Sequence, residues 1–228
     1  MSLILHIDTA TEEAHVSIGR NGLVLQSLFN NSQKDHASFL QPAIQQLAKD
    51  TGILLNDIDA VAVTSGPGSY TGIRVGMASA KGLCYALNKP LITLVSLEIL
   101  AASAQQQIKI QADKAPVLLC PMVDARRMEV FTAIYDTGLL NIVAPSAMVL
   151  DEDSFSTHLS KNKVFFFGNG SPKWAAVCKH TNATFITTSS LSQAMAMLAY
   201  KMYTKGRFTE LANSQPLYLK EFHDNMKS

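Results

Sequence analysis

The feature that most constrains the fold is a Gly- and Pro-rich turn between a predicted strand and a predicted helix. Residues 65–74 read Ser-Gly-Pro-Gly-Ser-Tyr-Thr-Gly-Ile-Arg. The apolar run at residues 58–64 predicts a buried strand, and the helical spacing of apolar residues at 73–87 predicts a helix. Because α/β proteins place ligands and partners at turns of this kind, the turn indicates an α/β fold with a functional position here.

This turn matches neither common phosphate-binding pattern. A Walker A loop ends in Gly-Lys-Ser/Thr, but the sixth residue counted from Gly66 is Thr71, and no lysine follows. The dinucleotide pattern G-x-G-x-x-G needs its third glycine at position 71, whereas Gly72 comes one residue later. The simpler interpretation is therefore that the glycines allow a tight turn and close packing of the backbone. The start of the helix could still offer N–H groups to an anion. The candidate residues for a weak nucleotide or anion site are Asp8, Thr9, Gly66, Gly68 and Ser69.

Small residues recur at every fourth position on two faces of the helix that follows the turn. One face carries Gly72, Gly76 and Ala80, and the other carries Ala78, Gly82 and Ala86. One face must cover the sheet, and the second would suit close docking of another helix, from residues 35–50 or from a partner chain. We assign the partner or dimer interface to Gly72, Ile73, Gly76, Ala80, His36 and Leu40.

The two halves of the chain share one pattern. The first half opens with predicted strands at 3–7, 14–18 and 23–29, and the second half with predicted strands at 116–123, 129–135 and 139–143. Each first strand leads into an aspartate, Asp8 or Asp124. The repeat predicts two domains, 1–108 and 109–228, each a mixed sheet that opens with a three-stranded antiparallel meander.

The remaining elements alternate between strands and helices. Further strands are predicted at 91–95, 163–167 and 185–187, and further helices at 35–50, 96–107, 151–159, 172–179 and 192–205. We expect the last helix to pack back on the first domain.

Residue patterns for catalysis are weak. Asp8 and Asp124 could hold a metal or act as a base, but aspartate after a strand is also a common turn residue. The six histidines show no metal-ligand spacing, and Ser69 has no neighbouring base in the sequence. We therefore predict no catalytic residue and no metal site.

Composition narrows the class of protein further. The net charge is +1 and no basic block occurs, so the sequence alone does not predict a nucleic-acid surface. Charged residues make up 16%, which fits either apolar surface covered by another subunit or an ordinary Ala- and Leu-rich α/β protein. The three cysteines are scattered, which fits a reducing compartment. With no signal peptide or membrane span recognised, we expect a cytoplasmic location.

Several motifs together resemble one family. Residues 7–12 (Ile-Asp-Thr-Ala-Thr-Glu), the glycine turn extended to residue 76, and residues 123–127 (Val-Asp-Ala-Arg-Arg) resemble the TsaB family, also called YeaZ. Gly-Asn-Gly at 168–170 and Pro-Leu-Tyr-Leu at 216–219 are similar to further motifs of that family. A departure is Lys220, where the family usually has arginine.

The resemblance implies a fold and a role. It implies two RNase H-like domains of the actin and sugar-kinase (ASKHA) superfamily. It also implies a subunit that pairs with a TsaD-like catalytic subunit and, with a TsaE-like ATPase and the adenylate synthase TsaC, makes threonylcarbamoyladenosine beside the anticodon of tRNAs reading codons that start with A. Contact with tRNA would come only through the complex. We expect no cofactor, apart from weak ATP or ADP binding, and a homodimer when the chain is alone.

One segment supports a non-catalytic role within this resemblance. TsaD-like relatives carry a metal-binding His-Leu-Glu-Gly-His segment, and the matching residues here are Ser96-Leu-Glu-Ile-Leu100. Serine is a poor ligand for iron or zinc, and leucine is none. The alternative is a stand-alone ATP-dependent enzyme or a metallopeptidase-like hydrolase of the same superfamily.

Overall fold

The computed structural model describes residues 1–32, 35–108, 116–188 and 191–220 of the 228-residue chain. The first half contains β1 (Leu3–Asp8), β2 (Ala14–Arg20), β3 (Leu23–Asn30), α1 (His36–Thr51), β4 (Ala60–Gly66), α2 (Tyr70–Leu87), β5 (Leu91–Val95) and α3 (Ser96–Gln107), with a short 3₁₀ turn at Leu55–Asp57. The second half contains β6 (Val117–Asp124), β7 (Glu129–Asp136), β8 (Asn141–Val149), α4 (Ser156–Leu159), β9 (Lys163–Phe167), α5 (Ser171–Ala175), β10 (Ala183–Phe185) and α6 (Leu191–Thr204).

The strands form two five-stranded sheets with the same topology. The first sheet has the order β3-β2-β1-β4-β5, and the second has the order β8-β7-β6-β9-β10. In each sheet the first three strands in sequence are antiparallel, and the last two join the first strand in parallel. The predicted α/β class and the duplicated meander are therefore confirmed. The predicted boundary after residue 108 falls on residues 109–115, which lie outside the described residues.

Helices cover both faces of the first sheet. Alternate residues of β1 point to opposite sides, so Leu5 packs with the α1 and α2 layer while Ile4 packs with the α6 layer. All six residues of β1 are buried, as expected for a strand that has helices on both faces. Met195 of α6 lies in the same apolar cluster as Ile4, so the last helix rests on the first sheet.

Helix α3 is the central element between the two sheets. Its Ile99 and Ala102 pack with the first sheet and α6, while Leu97 and Leu100 pack with residues of the second sheet such as Phe167. Each fully buried leucine or isoleucine contributes roughly 1.5–3 kcal/mol relative to an exposed one. The helix therefore holds the two halves together through its two apolar faces.

The predicted elements of the second half differ most from the structure. The helix expected at 151–159 is reduced to Ser156–Leu159, because the Asp151 carboxylate accepts bonds from the Asp153 N–H and the Ser154 hydroxyl, and because Phe155 has a left-handed φ of 61°.

Three further element boundaries are corrected. Strand β8 extends to Val149 rather than ending at 143, and it tolerates Pro145 because it is an edge strand. Helix α5 ends at Ala175 rather than 179, and β10 lies at Ala183–Phe185 rather than at 185–187. Among the described residues, no helix combines the length and apolar character needed to cross a membrane.

Candidate functional site

The glycine turn is closed by hydrogen bonds within the chain. The Ser69 N–H donates to the Ala10 carbonyl oxygen at 2.6 Å, and the Ser69 hydroxyl caps α2 by accepting from the Gly72 N–H at 3.3 Å. A Cβ on Gly68 would collide with the Ala10 carbonyl oxygen, so only glycine permits this approach. The turn is therefore a tight joint between the β1–β2 turn and α2.

The other candidate anion-site residues also lie at this joint. The Asp8 carboxylate is 5% exposed and accepts the Ala10 N–H at 3.0 Å, and the Thr9 hydroxyl donates to the Gly72 carbonyl oxygen at 2.6 Å. The structure thus brings the five candidate residues together, and the polar groups named here bind other parts of the chain. Weak nucleotide or anion binding at this position stays a prediction.

The C-terminal segment lies along the same region. Residues 209–220, here called the C-terminal strap, run from β5 past α2 to the glycine turn. The Thr209 N–H donates to the Leu91 carbonyl oxygen at 2.8 Å, and the Leu217 N–H donates to the Ser65 carbonyl oxygen at 2.8 Å. Between these points Lys81 of α2 donates to the Ser214 carbonyl oxygen at 3.1 Å. Sequence reasoning missed the strap, since the segment has no strand or helix period.

The six predicted interface residues are all buried within the chain. A Cβ on Gly76 would press against the Thr9 hydroxyl and lie 3.5 Å from Ile7, so this face of α2 covers the sheet. Ile73 and Ala80 are 1% and 0% exposed. The prediction that the face with Gly72, Gly76 and Ala80 docks a partner is therefore corrected, because this face packs against the sheet of its own chain.

The two candidate residues of α1 also pack internally. His36 is buried, and its Nε2 donates to the Thr11 carbonyl oxygen at 2.9 Å, while Leu40 is fully buried in the core under α1 and α2. Both residues hold α1 in place rather than presenting a side chain to solvent. A role of these helices in an interface stays a prediction.

The second small-residue face of α2 is exposed. We call this surface the docking ridge, and it consists of Thr71, Ala78, Gly82, Tyr85 and Ala86, all of which are exposed. A Cβ placed on Gly82 would meet no atom within 4 Å, and the large Tyr85 side chain is 84% exposed. The ridge therefore presents small residues between two prominent exposed side chains, Arg74 one turn before Ala78 and Tyr85 at the other end.

The two strand-end aspartates occupy equivalent turns. The carboxylates of Asp8 and Asp124 each accept the N–H of the residue two positions on, at 3.0 Å and 2.6 Å. Lys173 also forms an ion pair with Asp124 at 2.9 Å. Partial burial acts to raise the pKa of Asp124, but the bonds from Lys173 and the Arg126 N–H outweigh it and lower that pKa. Both aspartates therefore serve as turn residues.

The positions that match the metal ligands of TsaD-like relatives are internal. The Ser96 hydroxyl donates to the Pro67 carbonyl oxygen at 2.6 Å, and Leu100 is 6% exposed in the cluster between α3 and the second sheet. Within the described ranges, no three His, Cys, Asp or Glu side chains are placed to hold a metal ion together.

The architecture defines the class of protein first. Two mixed sheets with one strand order, each with an aspartate turn after its first strand, form the duplicated fold of the actin and sugar-kinase superfamily. A family model described as "TsaD: tRNA N6-adenosine threonylcarbamoyltransferase" matches residues 24–207. The TsaB protein of Bacillus subtilis is 32% identical over 169 residues, which cover 73% of this chain and 70% of that protein.

Further comparisons agree with this assignment. The TsaB protein of Escherichia coli is 28% identical over 225 residues, which cover 95% of this chain and 94% of that protein. A solved structure of YeaZ from Pseudomonas aeruginosa has a TM-score of 0.75 and 25% identity, covering 96% of this chain and 100% of that one. The chain belongs to the TsaB family, within the wider group that the TsaD model describes.

Proposed function

We propose that this chain is a non-catalytic partner subunit that docks on a TsaD-like catalytic subunit. In that role it supports the formation of threonylcarbamoyladenosine beside the anticodon of tRNAs that read codons starting with A. The TsaB relatives carry the name of tRNA threonylcarbamoyladenosine biosynthesis proteins, which supports the pathway. The observation that carries the docking role is the exposed docking ridge of α2.

The shape of the ridge suits a partner helix. Helix axes pack 8–10 Å apart, and small contact residues allow the shorter separations. Ala78 and Gly82 lie one turn apart on α2, so a facing helix can approach the backbone over more than one turn. Tyr85 at the end of the ridge is the type of large aromatic residue that dominates binding energy at interfaces. Helix α1 packs beside α2.

The contacts of Ser96 and Leu100 support a non-catalytic role for this chain. A metal ligand must present a lone pair to an open site, whereas the Ser96 hydroxyl binds a backbone oxygen and Leu100 lies in the core. These contacts favour a structural use of the segment. ATP turnover or proteolysis by the purified chain, lost on substitution of Asp8 or Asp124, would contradict the proposal.

The docking role is tested by adding bulk to the ridge. Ala78→Trp places a large ring on the ridge, and Ala175→Trp makes the same change at an exposed helical position in the second half. We expect Ala78→Trp to weaken the affinity for a TsaD-like subunit at least tenfold, measured by titration calorimetry, while Ala175→Trp leaves it unchanged. Equal affinities of the two variants would show that the ridge does not form the interface.

The same ridge predicts how the chain behaves alone. Without its partner, two copies could pair through the ridge in a symmetric dimer. Light scattering of the free chain should then report a dimer that Ala78→Trp converts to a monomer. Binding of a TsaE-like ATPase to the heterodimer and the cytoplasmic location stay predictions.

A further inference from the structure

One side of the molecule concentrates positive charge although the chain as a whole is nearly neutral. We call this side the basic surface, and it consists of Arg74, Arg126, Arg127, Lys173 and Lys220. The side chains that these residues contact include two acids, Asp124 and Glu129. The complete chain has 19 basic and 18 acidic residues. The surface therefore carries an excess of cations that the composition conceals.

The basic surface is continuous because contacts link its members. Arg74 donates to the Tyr218 hydroxyl at 2.8 Å, and two residues further along the strap Lys220 forms an ion pair with Glu129. Lys173 donates to the Glu129 carbonyl oxygen at 3.2 Å. Lys173 also forms the ion pair with Asp124, whose carboxylate accepts the Arg126 N–H. The surface thus runs from the start of α2 to the β6–β7 turn.

The arginines at the β6–β7 turn are available to bind a ligand. Arg126 and Arg127 are both exposed, and no described residue forms a hydrogen bond or ion pair with either guanidinium. Their φ angles are 69° and 46°, in the left-handed region that favours glycine and asparagine. A turn needed only to join two strands would gain stability from those residues. Two arginines at such positions therefore indicate a use for their charge.

Aromatic rings stand beside the cations at the other end of the surface. The Arg74 guanidinium lies 3.9 Å from the centre of the Tyr70 ring, and the Tyr218 ring lies 5.3 Å from Tyr70. Tyr218 remains 43% exposed. Arginines that bind phosphates and aromatic rings that stack on bases are the two elements of RNA recognition outside paired helices. Since the β1–β2 turn carries Glu12 and Glu13, we expect the phosphate contacts to centre on Arg126 and Arg127.

We propose that the basic surface contacts the phosphate backbone of the tRNA substrate, so that this chain contributes directly to RNA binding by the complex. The proposal rests on the proposed function, since it assumes a complex that acts on tRNA. It goes beyond that function by giving the partner subunit its own RNA contacts. The alternative occupant, an acidic surface of a protein partner, is an outcome of the test below.

The test replaces the arginine pair and measures assembly and RNA binding separately. Arg126→Asn with Arg127→Gly removes two charges and relieves the left-handed backbone, so the variant should fold at least as stably as the parent. The control, Lys161→Gln with Lys205→Gln, removes the same charge at exposed positions outside the surface. Assembly with the TsaD-like subunit is followed by size-exclusion chromatography. Binding of a fluorescein-labelled tRNA transcript is followed by anisotropy over a series of salt concentrations.

The expected results separate this inference from the docking proposal. The arginine variant should assemble normally, bind tRNA about tenfold more weakly, and show a slope of log Kd against log salt reduced by about two, while the control behaves as the parent. Arg126→Lys with Arg127→Lys should retain the affinity. Normal assembly with unchanged tRNA affinity overturns the inference. Weaker assembly with unchanged tRNA affinity also overturns it, and assigns the surface to a protein partner. If the parent chain does not assemble with the TsaD-like subunit, but the arginine variant binds tRNA more weakly than the free parent chain does, the docking proposal is refuted and the role of the basic surface is supported.

Discussion

Two glycines of α2 should respond in opposite directions to the same added methyl group. Gly82 faces open space, so Gly82→Ala gains helix propensity of about 1 kcal/mol without a new contact. Gly76 faces the Thr9 hydroxyl, and that hydroxyl donates to the Gly72 carbonyl oxygen. Gly76→Ala therefore adds an overpacking cost of about 2 kcal/mol and loses a hydrogen bond worth about 1 kcal/mol, against the same propensity gain. The two variants should differ in unfolding free energy by about 3 kcal/mol.

The difference is measured by urea unfolding of the isolated chain, followed by circular dichroism, at a protein concentration where light scattering reports a monomer. Because the hydroxyl of Thr9 causes the clash, Thr9→Ala should reduce the cost of Gly76→Ala in a double-mutant cycle by at least 1 kcal/mol. The pair Thr9→Ala with Gly82→Ala should instead be additive, since the two sites share no contact. Equal stabilities of the two single glycine variants, or additive costs of Thr9→Ala with Gly76→Ala, would refute the assignment of these two faces.

Two further predictions concern buried titratable groups. Burial lowers the pKa of His6 from 6.5 to about 3, so the folded chain keeps a neutral imidazole that the unfolded chain protonates below pH 6.5. Protonation of His6 alone should therefore lower the unfolding free energy by up to about 1.4 kcal/mol per pH unit below 6.5. Burial also lowers the pKa of His15, which adds to the dependence in the same direction, so His6→Asn should reduce the slope in urea unfolding from pH 7 to 5. A slope unchanged by His6→Asn would assign the pH dependence elsewhere. Burial also raises the pKa of Cys84 to about 11 and that of Cys120 to about 12, while Cys178 is partly exposed. A disulfide reagent should thus modify one thiol in the folded chain, and Cys178→Ser should abolish that reaction; rapid modification of two or more thiols would contradict the described burial.

The order of the elements could be predicted from sequence because the apolar patterns are strong. Strands such as β1 and β6 are short apolar runs ending at an aspartate, and α2 has a clear helical period. The interface was assigned to the wrong small-residue face of α2, because both faces carry glycine and alanine at the same spacing and small residues alone do not distinguish them. The larger residues of α2 distinguish the two faces, since Ile73 and Met77 lie on the buried side, whereas Tyr85 lies on the exposed side.

Other features depend on contacts between distant parts of the chain. The C-terminal strap has no periodic pattern, and its bonds join Leu217 to Ser65 and Arg74 to Tyr218 across about 150 residues of sequence. The basic surface could not be predicted for the same reason, because its cations come from four separate segments: α2, the β6–β7 turn, α5 and the C-terminal strap. Net charge records their number but not their position, so a value near zero could not reveal them.

The duplicated fold has diverged in a way that separates the two proposed roles. The turn after β4 leads into α2, which has 18 residues, whereas the equivalent turn after β9 leads into α5, which has 5. A helix of 5 residues makes little more than one turn, so it cannot present a ridge along which a partner helix could pack. The second half instead places exposed arginines on the turn after its first strand, where the first half has Thr9 and Ala10 packed against glycines. If docking centres on the ridge of α2 and RNA contact on Arg126 and Arg127, substitutions at Ala78 and at Arg126 should act independently on assembly and on tRNA affinity, because the two sets of residues lie on separate elements.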